Sequence, residues 1–213
     1  MRVLIGCESS GRTREALRKL GIDAWSCDLL PADDNSPHHL QCDVLTLLDQ
    51  GWRMALFHPS CQFLSSSGLH WNKNPASSRY GGRQTTEALE FVRKLLAAPI
   101  DHIAIENPTG CIGTQIQAAT QYVQPYDFGD DASKKTGLWL KNLPKLQADP
   151  KQRVAGRFVT INGKQVERWA NQTDSGQNRL GPSEDRWKLR SQTYQGLADA
   201  FAKTWADHLR NNK

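Results

Sequence analysis

The strongest constraint on this chain is the alternation, through its first half, of short apolar runs with segments of helical periodicity. Arg2–Ile5 reads as a strand, and Arg12–Leu20 as a helix closed by Gly21, a residue that accepts the left-handed conformation at a helix C-terminus. Asp23–Asp28 follows as a strand, Val44–Gln50 as a short helix and Arg53–Phe57 as a strand. Arg83–Ala98 then reads as a longer helix and Asp101–Ile105 as a strand. Strands separated by helical crossovers pair in parallel, and a parallel sheet needs helices on both faces. The predicted fold is therefore α/β, with a doubly wound, mostly parallel sheet. Ligands of such sheets sit beyond the carboxyl ends of the strands. Gly6–Gly11, Asp28, His58–Cys61 and Glu106–Pro108 each follow a predicted strand, so they should share one crevice.

With 213 residues and 38% hydrophobic content, the chain can bury one sizeable core and not clearly two. No stretch approaches the ~20 consecutive apolar residues that span a bilayer. Met1–Gly6 looks like a first core strand rather than a signal peptide. The expectation is a soluble, cytoplasmic protein with no membrane partner. The five cysteines (Cys7, Cys27, Cys42, Cys61 and Cys111) are odd in number and widely spaced, with no C-x-x-C pair. That argues against a disulfide scaffold or a structural zinc site, and no metal is expected. Net charge is +5, with basic residues concentrated from Lys134 onward and interleaved with Trp139, Trp169, Trp187 and Trp205. A basic half of this kind suits a polyanion such as nucleic acid; a merely solvated basic surface is the alternative.

Ser66–Gly82 is a long polar stretch that reads as a substrate loop or lid, or as a segment without function. Beyond Pro150 the rhythm changes. In Arg157–Trp169 the pair Asn162-Gly163 supplies the two positive-φ residues of a type I′ hairpin turn between alternating side chains. Asn171–Ser183 reads as a flexible loop, and Thr193–Leu209 as a closing helix with Leu197, Phe201, Trp205 and Leu209 on one stripe. Three regions are predicted: 1–150 as the ligand-binding body, 151–190 as a small hairpin and loop insertion, and 191–213 as a helix packed on the body.

Two residues carry most of the chemical signal. Cys61 leaves an apolar run for a Pro/Ser loop, as a nucleophile does; a buried inert thiol is the alternative, but the surrounding Pro, Ser and Gly residues suit a loop better than a core. Glu106 ends a second apolar run, Ile103-Ala104-Ile105, where a carboxyl should titrate above its ordinary range and could serve as an acid. Together they suggest covalent chemistry on an electron-poor ring. Near the first strand, Gly6-Cys7-Glu8-Ser9-Ser10-Gly11 is not the dinucleotide fingerprint, but it offers close backbone approach at a helix start. Asp28 stands where an acidic residue accepts ribose hydroxyls, and Asp43 could accept an adenine amino group or cap the next helix.

Cys61-Gln62-Phe63-Leu64-Ser65-Ser66-Ser67-Gly68 is similar to the Cys-Gln-x-Phe-Ser-x-Ala-Gly loop of the DNA cytosine-5 methyltransferases, and Glu106-Asn107-Pro108 resembles their Glu-Asn-Val motif. Tyr126-Asp127-Phe128-Gly129 resembles the turn that precedes the family's Gln-x-Arg-x-Arg segment. The resemblance spans residues 1–140 and implies a class I, Rossmann-like methyltransferase fold with S-adenosylmethionine as cofactor. It implies that Cys61 adds to C6 of cytosine, that Glu106 in its protonated form holds the ring near N3, and that Asn107 fixes the loop. Gly6, Glu8, Ser10, Asp28, Leu29, Asp43 and Pro59 fall at the cofactor positions. The sequence departs from the family in four places, the first being Glu8-Ser9-Ser10-Gly11, which stands where the family has paired glycines. Ser60 stands where the family has proline, and Lys134 and Lys135 stand where it has the arginines that support the target pyrimidine. Residues 151–190 replace a much longer recognition domain, so the expected DNA partner would be read with little sequence specificity, as suits a phage enzyme. The same chemistry on a free pyrimidine nucleotide or RNA, and a non-catalytic nucleic-acid-binding module of this fold, are the alternatives.

Overall fold

The computed structural model describes residues 1–69, 82–184 and 186–212. Strands β1 (Arg2–Gly6), β2 (Asp23–Asp28), β3 (His39–Gln41), β4 (Met54–Phe57) and β5 (His102–Pro108) pair in parallel. Strand β7 (Thr136–Lys141) runs antiparallel between β5 and β6 (Gln121–Val123). The result is one seven-stranded sheet in the order β3-β2-β1-β4-β5-β7-β6. The chain reverses its direction of winding between β1 and β4, where doubly wound sheets open their ligand crevice. The remaining strands, β8 (Arg157–Ile161) and β9 (Lys164–Arg168), form a separate antiparallel hairpin. Its turn residues, Asn162 and Gly163, have φ of 50° and 76°, as the primed turn requires.

Both faces of the sheet are covered, which is why β4 is buried at every position. One face carries α1 (Arg12–Lys19) and α6 (Gln195–Asn211), whose Leu197, Phe201, Trp205 and Leu209 meet Ile5, Leu56 and Leu138. The other face carries α3 (Gly82–Leu96), whose Leu89, Val92 and Leu95 pack over Ala55, Phe57 and Ile103. Three shorter helices, α2 (Ser66–Leu69), α4 (Ile112–Gln115) and α5 (Arg186–Ser191), lie in the connections. No helix among the described residues is long and apolar enough to cross a membrane.

Three strands are not marked in the sequence. Strands β3 and β6 are three residues each, too short for a period of two to declare itself, and Gly137 interrupts the pattern of β7. The polar stretch read from Ser66 to Gly82 begins with α2, and α3 starts at Gly82 itself; residues 70–81 lie outside the described residues. The segment 171–183 is irregular, yet it is held by hydrogen bonds rather than loose. Gln172 bridges to Asn178, the Arg157 and Arg179 guanidiniums donate to the Gln172 carbonyl at 3.1 and 2.7 Å, and Asn171 Nδ2 donates to the Ser133 carbonyl at 2.9 Å. The hairpin is fastened by Trp169, stacked on Tyr126 with ring centroids 3.9 Å apart.

Among the described residues, one charged side chain has no exposed surface. Arg14 on α1 donates to the Ser26 hydroxyl at 2.6 Å, pairs with Asp34, and reaches Glu15 at 2.9 Å. It ties the first helix to β2 and to the crossover that feeds β3. Removing Asp34 leaves the inner end of the buried guanidinium without its carboxylate, which costs more than losing the contact from the adjacent residue Glu15. Asp34→Ala should therefore destabilise the fold by roughly 3 kcal/mol in urea unfolding and Glu15→Ala by less than about 1 kcal/mol. Equal losses would show that Asp34 is not the partner that matters.

Candidate active site

The parallel register brings a single row of side chains to the sheet's carboxyl edge. Cys27, Gly6, Phe57 and Ile105 stand level across β2, β1, β4 and β5, so the next residues out are Asp28, Cys7, His58 and Glu106. Above them opens a cavity of about 1600 Å³. Cys61, Glu106, Asn107, Lys134, Lys135, Glu8, Ser10, Asp28, Leu29, Asp43 and Pro59 all border it. Gly6, expected among the cofactor positions, does not. A Cβ there would lie 2.6 Å from the Phe57 ring and 2.7 Å from Val44, so its glycine serves packing beneath the cavity.

The first loop is built around Glu8, which is buried. One of its carboxylate oxygens accepts from the Ser10 hydroxyl and from the Arg12 N–H at 3.2 Å, at the start of α1. The other, Oε2, is buried without a hydrogen-bond partner. Asp28 and Asp43 each use one oxygen to accept a backbone N–H two residues on, from Leu30 and Leu45, both at 2.9 Å. Asp43 thus caps the 3₁₀ turn Val44–Leu47, and its carboxylate still borders the cavity. Leu29, 71% exposed, forms part of the rim.

Cys61 opens a 3₁₀ turn, Cys61–Phe63, capped by the Ser60 hydroxyl. This turn is stitched to the segment after β5. Asn107 Nδ2 donates to the Pro59 carbonyl at 2.7 Å, the Cys111 N–H to the Leu64 carbonyl at 2.8 Å, and the Ser66 N–H to the Thr109 carbonyl at 2.9 Å. The two segments pass so closely that a Cβ on Gly110 would fall 1.8 Å from the Leu64 carbonyl oxygen. Lys134 is fixed through its backbone N–H, which donates to Gln124 at 3.0 Å, while its Nζ donates to the Arg190 carbonyl at 3.3 Å. Lys135 lies over the Tyr122 ring, 4.7 Å from its centroid.

One sequence-based expectation about charge is corrected. Burial does press the Glu106 carboxyl upward, but Lys134, the hydrogen bond from His58 and Thr136 outweigh it and hold the pKa below its ordinary value. Glu106 is thus a carboxylate at neutral pH and accepts hydrogen bonds rather than donating one. The Cys61 thiol moves the other way: burial raises its pKa, helped by Glu106, while Lys134 and Arg190 pull against that shift. Neither His58 nor Arg190 is given a role by the sequence reading. His58 Nδ1 lies 3.0 Å from Glu106 Oε2, and both residues border the cavity. The available signal for His58 was positional, since it is the first residue past β4, as Glu106 stands near the end of β5. Among the described residues, no group of three or more His, Cys, Asp or Glu side chains could hold a metal ion.

The tight crossing at Gly110 is testable. Gly110→Ala should force the Leu64 carbonyl aside, destabilise the protein by roughly 1–3 kcal/mol and change the rate at which Cys61 reacts with a thiol reagent. Unchanged stability and an unchanged rate would mean the crossing does not set the position of the cysteine turn.

No family model matches the chain, and no curated protein matches it in sequence. Among solved structures it is similar to the Entamoeba histolytica methyltransferase EhMeth, at TM-score 0.51 and 16% identity over 73% of this chain and 58% of that one. It is also similar to a prophage-encoded DNA modification methyltransferase of E. coli, at 0.46 and 12% over 66% and 46% of the two chains. The S. pombe Dnmt2 methyltransferase matches at 0.45 and 16%, over 66% and 48%. The chain spans about half the length of these proteins. At such identities the likeness concerns the fold, and the strand order agrees with it: this is a class I, Rossmann-like methyltransferase fold.

Proposed function

We propose that the protein transfers a methyl group from S-adenosylmethionine to C5 of cytosine in DNA, with Cys61 as the covalent nucleophile. The observation that most supports this is the stitching of the Cys61 turn to the end of β5, which keeps a thiol and a carboxylate facing one cavity. Cytosine C5 is a weak nucleophile. A thiolate adding at C6 makes C5 electron-rich, and only cysteine among side chains combines the needed nucleophilicity with an accessible anion. Lys134 and Arg190 are the cations that would favour that anion as a substrate displaces water.

The residues around the first loop fit the proposed cofactor. Glu8 Oε2 is a buried acceptor with no partner, and Asp28 and Asp43 border the same end of the cavity. A carboxylate-rich end suits a ligand that carries a sulfonium, an ammonium group and ribose hydroxyls. When bound, S-adenosylmethionine supplies an electrophilic methyl group. In this reading Ser10, Leu29 and Pro59 border the same ligand, Asn107 keeps the Cys61 turn in place, and Lys135 faces substrate phosphate. Lys134, Lys135, Arg179 and Arg190 are also on the lining. That charge supports a nucleic-acid substrate. As a carboxylate, Glu106 would accept a hydrogen bond from the cytosine 4-amino group, which a thymine carbonyl cannot offer.

The region 151–190 is, in the same reading, a reduced recognition region. Each good bidentate base contact contributes about 1–3 kcal/mol of discrimination, and a lone hairpin with a short loop offers few. Sequence selection should accordingly be short or relaxed, as is useful to a phage that modifies its own DNA.

Incubation with S-adenosylmethionine and 5-fluorocytosine DNA should give a covalent adduct with the wild-type chain and none with Cys61→Ser. No adduct from the wild type, or an adduct that survives the serine substitution, would overturn the reading. Methyl transfer to deoxycytidine monophosphate but not to DNA would reassign the substrate to a free nucleotide. Bisulfite sequencing of DNA from expressing cells should find methylation in many contexts; confinement to one long motif would overturn relaxed specificity.

Adduct formation should accelerate as pH rises above neutral, because a thiol with a raised pKa yields more thiolate there. Lys134→Ala removes the largest pull against that shift, so the rate at pH 7 should fall on the order of tenfold and recover in part in alkaline buffer. An unchanged profile would remove Lys134 from the electrostatics of the thiol.

A further inference from the structure

Three of the five cysteines stand at the carboxyl edge of the sheet: Cys7 just beyond β1, Cys27 near the end of β2 and Cys42 just beyond β3. None of them takes part in the proposed methyl transfer. Cys27 and Cys42 meet across the β2–β3 pair, with their sulfurs 3.8 Å apart and the Cys27 thiol donating to the Cys42 carbonyl at 3.2 Å. The two differ in access. Cys27 has no exposed surface, whereas Cys42 is half-buried and borders the cavity. Burial and the neighbouring Cys42 sulfur push the Cys27 thiol up to about 12, so it keeps its proton. The pair is also joined to three carboxylates that border the cavity. Asp28 follows Cys27 and Asp43 follows Cys42. The Cys27 carbonyl accepts the Glu8 N–H at 3.1 Å, and the Cys42 N–H donates to the Asp28 carbonyl at 3.0 Å. The backbone behind these two sulfurs therefore helps to set where Glu8, Asp28 and Asp43 stand.

We propose that Cys27 and Cys42 are a disulfide-forming pair, closed by a peroxide that enters the cavity, and that closing it weakens the ligand held by Glu8, Asp28 and Asp43. The identity of that ligand rests on the S-adenosylmethionine reading above. Cys42, the sulfur within reach of the cavity, attacks first. Its sulfur–oxygen bond forms as the peroxide oxygen–oxygen bond breaks; the thiol proton leaves with the released oxygen as water, and Cys42 becomes a sulfenic acid. The Cys27 sulfur then attacks the Cys42 sulfur. The sulfur–sulfur bond forms, the sulfur–oxygen bond breaks, and the Cys27 proton leaves with that oxygen as a second water. Two thiols are oxidised and one peroxide is reduced. Exchange with an external dithiol restores both thiols and leaves that dithiol as its disulfide. A disulfide spans about 2.05 Å, so the 3.8 Å gap closes only if the side chains, and the backbone that carries them, move toward each other. The hydrogen bonds to Glu8 and Asp28 start from that same backbone. Oxidation thus displaces the carboxylates without touching Cys61.

The test begins with the reduced wild-type chain, treated with hydrogen peroxide and digested without reductant. Peptide mass mapping should find Cys27 and Cys42 in one crosslinked species, lighter by two hydrogens than the two thiol peptides together. This step needs no variant to fold. Absence of that crosslink, or pairing of either residue with Cys7 instead, would overturn the proposal. Titration calorimetry then compares S-adenosylmethionine binding before and after peroxide. The wild-type Kd should rise at least about tenfold, the scale of one misplaced hydrogen bond to a charged group, and return on treatment with dithiothreitol. An oxidised wild type that binds within about twofold of the reduced one would overturn the proposal. Cys42→Ser, with Cys27→Ser as the second variant, should bind S-adenosylmethionine equally well before and after peroxide, although Cys7 and Cys61 are still present. A rise of wild-type size in both variants would assign the effect to another cysteine and overturn the pair. If the reduced wild type binds no S-adenosylmethionine at all, the cofactor reading fails, and the ligand assigned to the pair falls with it.

Discussion

The parallel register of β2, β1, β4 and β5 is the constraint on which the rest of the structure depends. Because Cys27, Gly6, Phe57 and Ile105 stand level, four separate stretches of chain leave the sheet at the same height. The residues that follow are presented to one cavity without any long loop having to reach for it. The register is itself enforced by burial. Strand β4 is covered at every position, and a slip of one residue would exchange the side chains that face α3 for those that face α1 and α6. Gly6 belongs to this constraint rather than to ligand binding, since its missing Cβ lets the Phe57 ring and Val44 close beneath the cavity.

Given that scaffold, the site is governed by a contest between burial and a few cations. Removing water raises the pKa of both Cys61 and Glu106, and Lys134 opposes the change at each. The outcome differs because Glu106 has His58 and Thr136 as further partners, whereas the thiol has a carboxylate nearby that works against its ionisation. The thiol is therefore held in reserve while the carboxylate is already charged. In the proposed reaction this assigns acceptance of hydrogen bonds to Glu106.

Much of the fold was legible because its signals are local. The crossover rhythm over β1, α1, β2, β4, α3 and β5 is written in runs long enough to show a period, and Asn162-Gly163 declares its turn by backbone chemistry alone. Strands β3 and β6 were not legible, since three residues carry no period and their pairing is decided by a neighbouring strand. The segment 171–183 looks flexible in composition, but Arg157 and Arg179 converge on the Gln172 carbonyl and hold it. Composition records the absence of regular structure; it does not record side chains arriving from elsewhere.

By itself, the sequence determined the α/β class and pointed to the strand ends from which Cys61 and Glu106 come to border one cavity. These follow from hydrophobic periodicity and from which side chains can perform which reactions, and both are properties of residues in order. Only the tertiary structure decided the state of charge at Glu106 and the stitching of the Cys61 turn through Asn107 and Gly110. Each of those depends on distance and on exclusion of water between segments far apart in the chain. Electrostatic energy is set by that geometry, and no spacing along a sequence contains it.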